Sequence, residues 1–131
     1  MSDIAIAYRN AIVDYLRGAG LPPAVTDIYL DLYNGDPQSG GTSVLLTITG
    51  SSTRMSVTAL LSAAASGACT NPAAIPIIAE SNGNATITHC AFFNAALNGA
   101  LVTSSPLDAP CTVVVADEVE IPADNLDISL N

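Results

Sequence analysis

Apolar positions recur with helical spacing only once, over "DIAIAYRNAIVDYLR" at residues 3 to 17. Ile4, Tyr8, Ala11, Ile12, Tyr15 and Leu16 fall on one face of a helix, and Asp3, Asn10, Asp14 and Arg17 fall on the other. Ser2 offers an N-cap and Gly18 or Gly20 a C-terminal stop. "GLPP" then breaks the helix, because proline lacks the amide hydrogen and its ring clashes with the preceding turn. Such a helix can serve as a docking arm, but packing on its own domain is the simpler expectation.

Everything afterwards alternates or is β-branched. In "DIYLDLY" (27 to 33) Ile28, Leu30 and Leu32 share one face, and Tyr29, Asp31 and Tyr33 share the other. "TSVLLTIT" (42 to 49) and "TRMSVTALL" (53 to 61) read as strands joined by the turn "GSS". "SAAASGACTNPAAIPIIAES" reads as a long connection with a short edge strand near Ile77 and Ile78. "NATITHCAFFN" (84 to 94) alternates again, with Ile87, His89, Ala91 and Phe93 on one face and Thr86, Thr88, Cys90 and Phe92 on the other. Asn98-Gly99 is a hairpin signal, since both residues tolerate positive φ. Four short runs follow: "ALVTSS", "CTVVV", "EVEIP" and "LDISL". Short strands at even spacing predict a mainly β chain, an antiparallel β-sandwich or jelly-roll-like domain with one short N-terminal helix. The expected division is a helical segment over 1–20 and a single β-sandwich domain over 21–131.

Composition narrows the function classes. The 131 residues suit one core-forming domain, and no apolar run approaches the length of a membrane span. No basic region precedes an apolar block at the start, so a signal peptide is not expected. Three arginines (Arg9, Arg17, Arg54) face twelve acidic residues, with no lysine and a net charge of −9. Nucleic acid and anionic membrane surfaces both require a basic patch that this chain cannot build. Any oligomer must then be held by apolar or hydrogen-bonded contacts, or by a basic partner. Cys69, Cys90 and Cys111 form no C-x-x-C pair, and an odd count argues against a disulfide framework. They read as buried small apolar side chains in a reducing compartment, although cross-links between subunits stay open.

Candidate chemistry is sparse. "DLYNGDPQSGGT" (31 to 42) has the wrong oxygen spacing and no closing glutamate for a calcium loop, and no Lys-Ser/Thr for a phosphate loop. It reads as a turn: Asn34-Gly35 allows positive φ, Asp36-Pro37 starts a reversal, and Gly40-Gly41 completes it. His89 and Cys90 are adjacent on a strand and point to opposite faces, so they do not form a base–nucleophile pair. His89 is expected to be partly buried and hydrogen-bonded. The acidic run 117–127 (Asp117, Glu118, Glu120, Asp124) admits calcium, but a solvated edge gives the same letters. No tryptophan lines a sugar cleft, and the four tyrosines (Tyr8, Tyr15, Tyr29, Tyr33) sit where core packing accounts for them. No catalytic, cofactor or metal residue is assigned, and no enzymatic activity is expected.

Three blocks in order, "YLDLYNGDP...GGTSV", "ATITHCAFFNAALNGALVTSSPLDAP" and "VVVADEVEIPADNLDISL", resemble small tailed-bacteriophage virion proteins, often labelled tail fibre or structural proteins. The matching elements are Asn34 to Pro37, Thr88-His89, Phe93-Asn94, Asn98-Gly99, Pro106-Leu107, Pro110, Ile121 to Ala123 and Leu126 to Leu130. Ala85 stands where that pattern has an aromatic, and Ala116-Asp117 where it has Gly-Asp. The resemblance implies a structural protein of the virion, made in the host cytoplasm, without catalysis. Its first implication is a head decoration (cement) protein on the outer shell, bound to the major capsid protein and homo-oligomeric, with a trimer favoured. The alternative is a tail-associated protein of a fibre, tail tip or baseplate, with an adhesion or receptor-binding role and tail proteins as partners. Decoration is preferred here because carbohydrate-type aromatics are missing and the chain is one compact domain.

Overall fold

The computed structural model describes residues 3–20, 25–44, 54–78, 85–114 and 118–129. In chain order these form β1 (Asp3–Ile4), α1 (Ile6–Leu16), β2 (Tyr29–Asn34), β3 (Thr42–Ser43) and β4 (Met55–Ser56). A 3-10 turn (Thr58–Leu60), β5 (Ala68–Thr70), β6 (Ile75–Ile78) and β7 (Ala85–Phe93) follow, then β8 (Leu101–Val113), β9 (Glu118–Ile121) and β10 (Asp127–Ser129). The main sheet runs β1-β8-β7-β2-β3, with β4 also on β2; β10-β5 and β6-β9 form two small sheets. Every pairing among the described residues is antiparallel. The result is the expected mainly β, sandwich-like architecture with one helix.

The core lies on one face of the main sheet. Leu30 and Leu32 of β2, Ile87, Cys90 and Phe92 of β7, and Leu107 and Val113 of β8 cluster with Val57, Ile75, Ile121 and Leu126. Burying a large apolar side chain contributes about 1.5–3 kcal/mol, so this cluster is the principal reason the small sheets stay closed over the large one. Ile87 and Cys90 both face this core although they are three residues apart. The expected alternation along β7 therefore slips by one, and the ladder is irregular at this point: Ile87 pairs Cys111 while His89 pairs Pro106. Residues 107–110 of β8 thus bulge opposite Thr88, a place where Pro110 withdraws no ladder donor.

Several boundaries differ from expectation. Residues 3 and 4 pair with Ser104 and Thr103 instead of opening the helix. The amide of Ala5 donates to the Val102 carbonyl at 2.8 Å, and helical turns start only afterwards. At the other end Gly18, at φ 86°, makes the stop that was expected of it. Gly18 N–H donates to Tyr15 O at 3.0 Å and Ala19 N–H to Asp14 O at 2.8 Å, the paired bonds of a Schellman cap. The strand expected over 53–61 shortens to Met55–Ser56, because Leu60 N–H turns back to Val57 O at 2.9 Å. Of the run 42–49, Thr42–Ser43 forms β3 and Val44 extends its bonding, while 45–49 and the "GSS" turn lie outside the described residues. "ALVTSS" and "CTVVV" fuse into the single strand β8. The edge strand at Ile77–Ile78 is present as part of β6, and β5 is an element that the small residues of "ACT" did not announce. Asn98 (φ 56°) and Gly99 (φ 77°) do turn, but inside a loop of residues 94–100 closed by Asn94 N–H to Ala100 O at 3.1 Å.

Two buried asparagines tie the connections together. Asn71 is fully buried; its Nδ2 donates to Ala73 O (3.0 Å) and Pro122 O (2.9 Å), and its Oδ1 accepts from Leu126 N–H (2.9 Å). Asn125 Oδ1 accepts from Asp108 N–H at 2.8 Å, pinning the β8 bulge to the β9–β10 connection.

Candidate functional site

The expected outer face of β2 is not simply solvated. Asp31 is only 2 % exposed, although it alternates with the buried Leu30 and Leu32. Its Oδ2 accepts from Arg54 Nε at 3.2 Å, and its Oδ1 accepts from Ser43 Oγ (2.9 Å) and Leu32 N–H (2.8 Å). Arg54 also donates through Nη1 to Ala95 O (3.1 Å) and Asn98 O (2.7 Å), and stands 3.7 Å over the Phe93 ring. Two charges are thus taken out of water, a cost of several kcal/mol per ion that only mutual attraction and further hydrogen bonds offset. The planar guanidinium supplies those bonds in fixed directions and adds a cation–π contact. One side chain therefore joins β2, the start of β4 and the β7–β8 loop. The available signal was an aspartate inside an apolar strand and the last arginine of an otherwise acidic chain.

The tyrosines depart from expectation. None belongs to the core cluster, whose aromatic is Phe92. Tyr15 is 49 % exposed, and Tyr8, Tyr29 and Tyr33 are partly exposed. Tyr8 Oη accepts from Asn94 Nδ2 at 3.3 Å, which holds α1 on the β7–β8 loop. Tyr29 and Tyr33 share one face of β2, with Ser56 across from the first and Ser43 across from the second. Beside them Asp27 accepts from the hydroxyls of Thr58 and Ser56, bonds that hold its carboxyl below the ordinary carboxylate range. Hydrogen bonding to Asp27 raises the Tyr29 phenol, and burial followed by the nearby Asp31 charge raises that of Tyr33. This flank presents phenol rings and hydroxyls in their neutral, hydrogen-bonding forms.

The other candidate residues are held apart. His89 is half-buried, with Nδ1 2.8 Å from Thr88 Oγ1, which also accepts from Gly35 N–H at 2.8 Å. Thr88 thus ties the 34–41 turn to β7, and His89 has the hydrogen-bonded place expected of it. That turn reverses as read: Asp36 Oδ1 accepts from Gln38 N–H (2.9 Å), and Asp36 O accepts from Gly41 N–H (2.7 Å). Cys90 is buried, its Sγ 3.4 Å from Ser105 O, and burial pushes its thiol up to about 12. Cys69 and Cys111 are half-buried rather than buried, and all three thiols are free. Burial, then the Asp127 charge, raises the Cys69 thiol. Of the acidic run, Asp117 and the Glu118 side chain lie outside the described residues, Glu120 is exposed, and Asp124 Oδ1 accepts from Thr70 Oγ1 at 3.3 Å. Among the described residues no three His, Cys, Asp or Glu side chains gather as metal ligands. No helix among them is long and apolar enough to cross a membrane.

A cavity of about 210 Å³ opens between the β8 bulge and β9. Leu32, Ile87, Leu107, Cys111 and Ile121 line it, with Glu120 and Asn125 as its polar members. It lacks an aromatic wall, and the Asn125 carbonyl is already committed to Asp108 N–H. Its chemistry is that of a packing seam with a thiol in it.

Comparison with known proteins places these features in a family. The family model described as "Podophage GP4 fiber I protein gp80" matches residues 3–129. No curated protein matches the chain. The match covers nearly the whole sequence, and the chain belongs to this family of phage virion structural proteins.

Proposed function

We propose that the protein is a non-enzymatic structural component of a phage fibre, self-associated and attached to other proteins of the same particle. The observation that carries this reading is the fibre-family match across residues 3–129. It supports the tail alternative over head decoration, so the preference drawn from the sequence is reversed. One reason for that preference also weakens: the tyrosines thought to be core residues are partly exposed. The Tyr29–Tyr33 flank supports an adhesion role, because aromatic rings beside hydroxyls suit polar ligands that offer both an apolar face and hydrogen-bonding groups. The buried, high-pKa Cys90 and the hydroxyl-bound His89 support the absence of catalysis.

Copy number per purified particle tests the assignment, by quantitative mass spectrometry against the major capsid protein. A fibre component gives roughly three to a few tens of copies, following tail symmetry, whereas decoration of every capsomer gives hundreds. A count in the hundreds, in fixed ratio to the shell, would return the protein to the head.

A further inference from the structure

The chain has three Asn–Gly pairs, at 34–35, 82–83 and 98–99, the second of them outside the described residues. Asparagine is among the chemically labile side chains. Glycine after it removes the Cβ that would shield the next amide nitrogen from the carboxamide. The fold treats that nitrogen differently in the two described pairs. Asn34 ends β2 and is paired with Thr42, and Gly35 N–H donates to Thr88 Oγ1 at 2.8 Å. The Gly35 amide is therefore occupied.

Asn98–Gly99 is the opposite case. Both residues are exposed, and among the described residues Gly99 N–H donates to no acceptor. The carbonyl of the same peptide group, Asn98 O, accepts from Arg54 Nη1 at 2.7 Å. If the Gly99 nitrogen gives up its proton, the negative charge is shared with that oxygen, because the peptide unit is conjugated. A cation thus stands where the charge would develop, fixed there by Asp31 Oδ2 and the Phe93 ring.

We propose that Asn98 is a self-modification site, at which the 94–100 loop converts its own asparagine to aspartate and isoaspartate. The deprotonated Gly99 nitrogen attacks Asn98 Cγ. The new N–Cγ bond closes a cyclic imide as the Cγ–Nδ2 bond breaks, and ammonia leaves with the proton. Water then opens the imide at one carbonyl or the other, giving aspartate or isoaspartate. Either product adds a negative charge, taking the net charge from −9 to −10. The isoaspartyl form also lengthens the main chain inside the loop that holds Arg54 and Tyr8. The reaction rests on the geometry of this loop and not on the fibre assignment.

Chymotryptic peptide mapping of the full chain, kept folded or in urea in warm, mildly alkaline buffer, measures conversion at each asparagine. In the folded chain Asn98 should convert at least about fivefold faster than Asn34, the equilibrium worth of the one hydrogen bond that occupies Gly35. In urea, where neither amide is held, the two rates should agree within about twofold. Thr88→Val should release Gly35 and bring the Asn34 rate up towards that of Asn98. Amide hydrogen exchange gives a second measurement without any substitution: Gly99 N–H should exchange unprotected and Gly35 N–H slowly. Equal folded rates at the two sites, an Asn98 that converts in urea but stays intact in the folded chain, or a protected Gly99 amide would overturn the proposal.

Discussion

Arg54→Ala removes one side chain and disturbs four groups at once. Asp31, whose side chain is 3 % exposed, then keeps, among the described residues, Ser43 Oγ and Leu32 N–H as donors to its carboxylate. The carbonyls of Ala95 and Asn98 lose their guanidinium donor, and Phe93 loses the cation over its ring. Breaking a buried pair by removing one partner costs about 3–5 kcal/mol, because the remaining charge stays desolvated. For a two-state domain between the small and medium size classes, that is a fall in Tm of about 10–20 °C. Arg54→Lys keeps the charge but not the planar fork, and should lose about a third to a half as much. The double variant Arg54→Met, Asp31→Leu should recover much of the Arg54→Ala loss, since no charge is then left buried. Urea unfolding of all four proteins gives the comparison directly. A loss below about 1 kcal/mol for Arg54→Ala, the range of exposed ion pairs, would refute the view that this pair is a buried tie.

Asn71→Ala leaves the Ala73 and Pro122 carbonyls and the Leu126 amide without their partner; unfolding should show a loss of about 3–5 kcal/mol. Gly99→Ala places a methyl group 2.6 Å from Asn94 Oδ1 at φ 77°, and chemical denaturation should report about 1–3 kcal/mol of destabilisation. The Cys90 thiol, raised by burial to about 12 from 9.0, holds its proton longer in the folded chain than in the unfolded one. Its contribution is complete below the unfolded value and falls by about 1.4 kcal/mol per pH unit between about 9 and 12; the difference in stability between wild type and Cys90→Ala measured across that window should carry this slope. Tyr29→Ala with Tyr33→Ala should leave incorporation into particles unchanged and reduce host adsorption about tenfold or more, and unchanged adsorption would remove the flank from the adhesion reading.

The class of fold was legible because its cues are local. Alternation announced β2 and β7, Gly18 announced the helix end, and Asn98-Gly99 announced a turn. What escaped were consequences of contacts distant in sequence. Asp31 follows the solvent phase of its strand, and only Arg54, 23 residues later, brings it inside. The slip along β7 comes from the bulge of β8, which no pattern within "ATITHCAFF" contains. The tyrosines sat at amphipathic positions, but the core filled from Phe92 and the aliphatic residues of β2, β7 and β8, closed by Val57, Ile75, Ile121 and Leu126. Asn71 was the most hidden, since a Thr-Asn-Pro stretch ordinarily predicts an exposed turn, whereas its three partners come from the turns it fastens.

A division of labour follows from strand length. β3 and β4 have two residues each, β5 and β10 three, too few to hold their places by ladder bonds. Side chains bonded to backbone carry the connections instead: Arg54 to the carbonyls at 95 and 98, Asn71 to those at 73 and 122, Asn125 to the amide of 108, and Thr88 to the amide of 35. Apart from Arg54 these are neutral groups, so the ties draw little on the charges that make the chain acidic. His89, Cys90 and the sole cation beyond residue 20 are all occupied within the scaffold. Among the described residues these ties leave the Tyr29 and Tyr33 rings of β2 partly exposed, the flank to which the adhesion proposal refers.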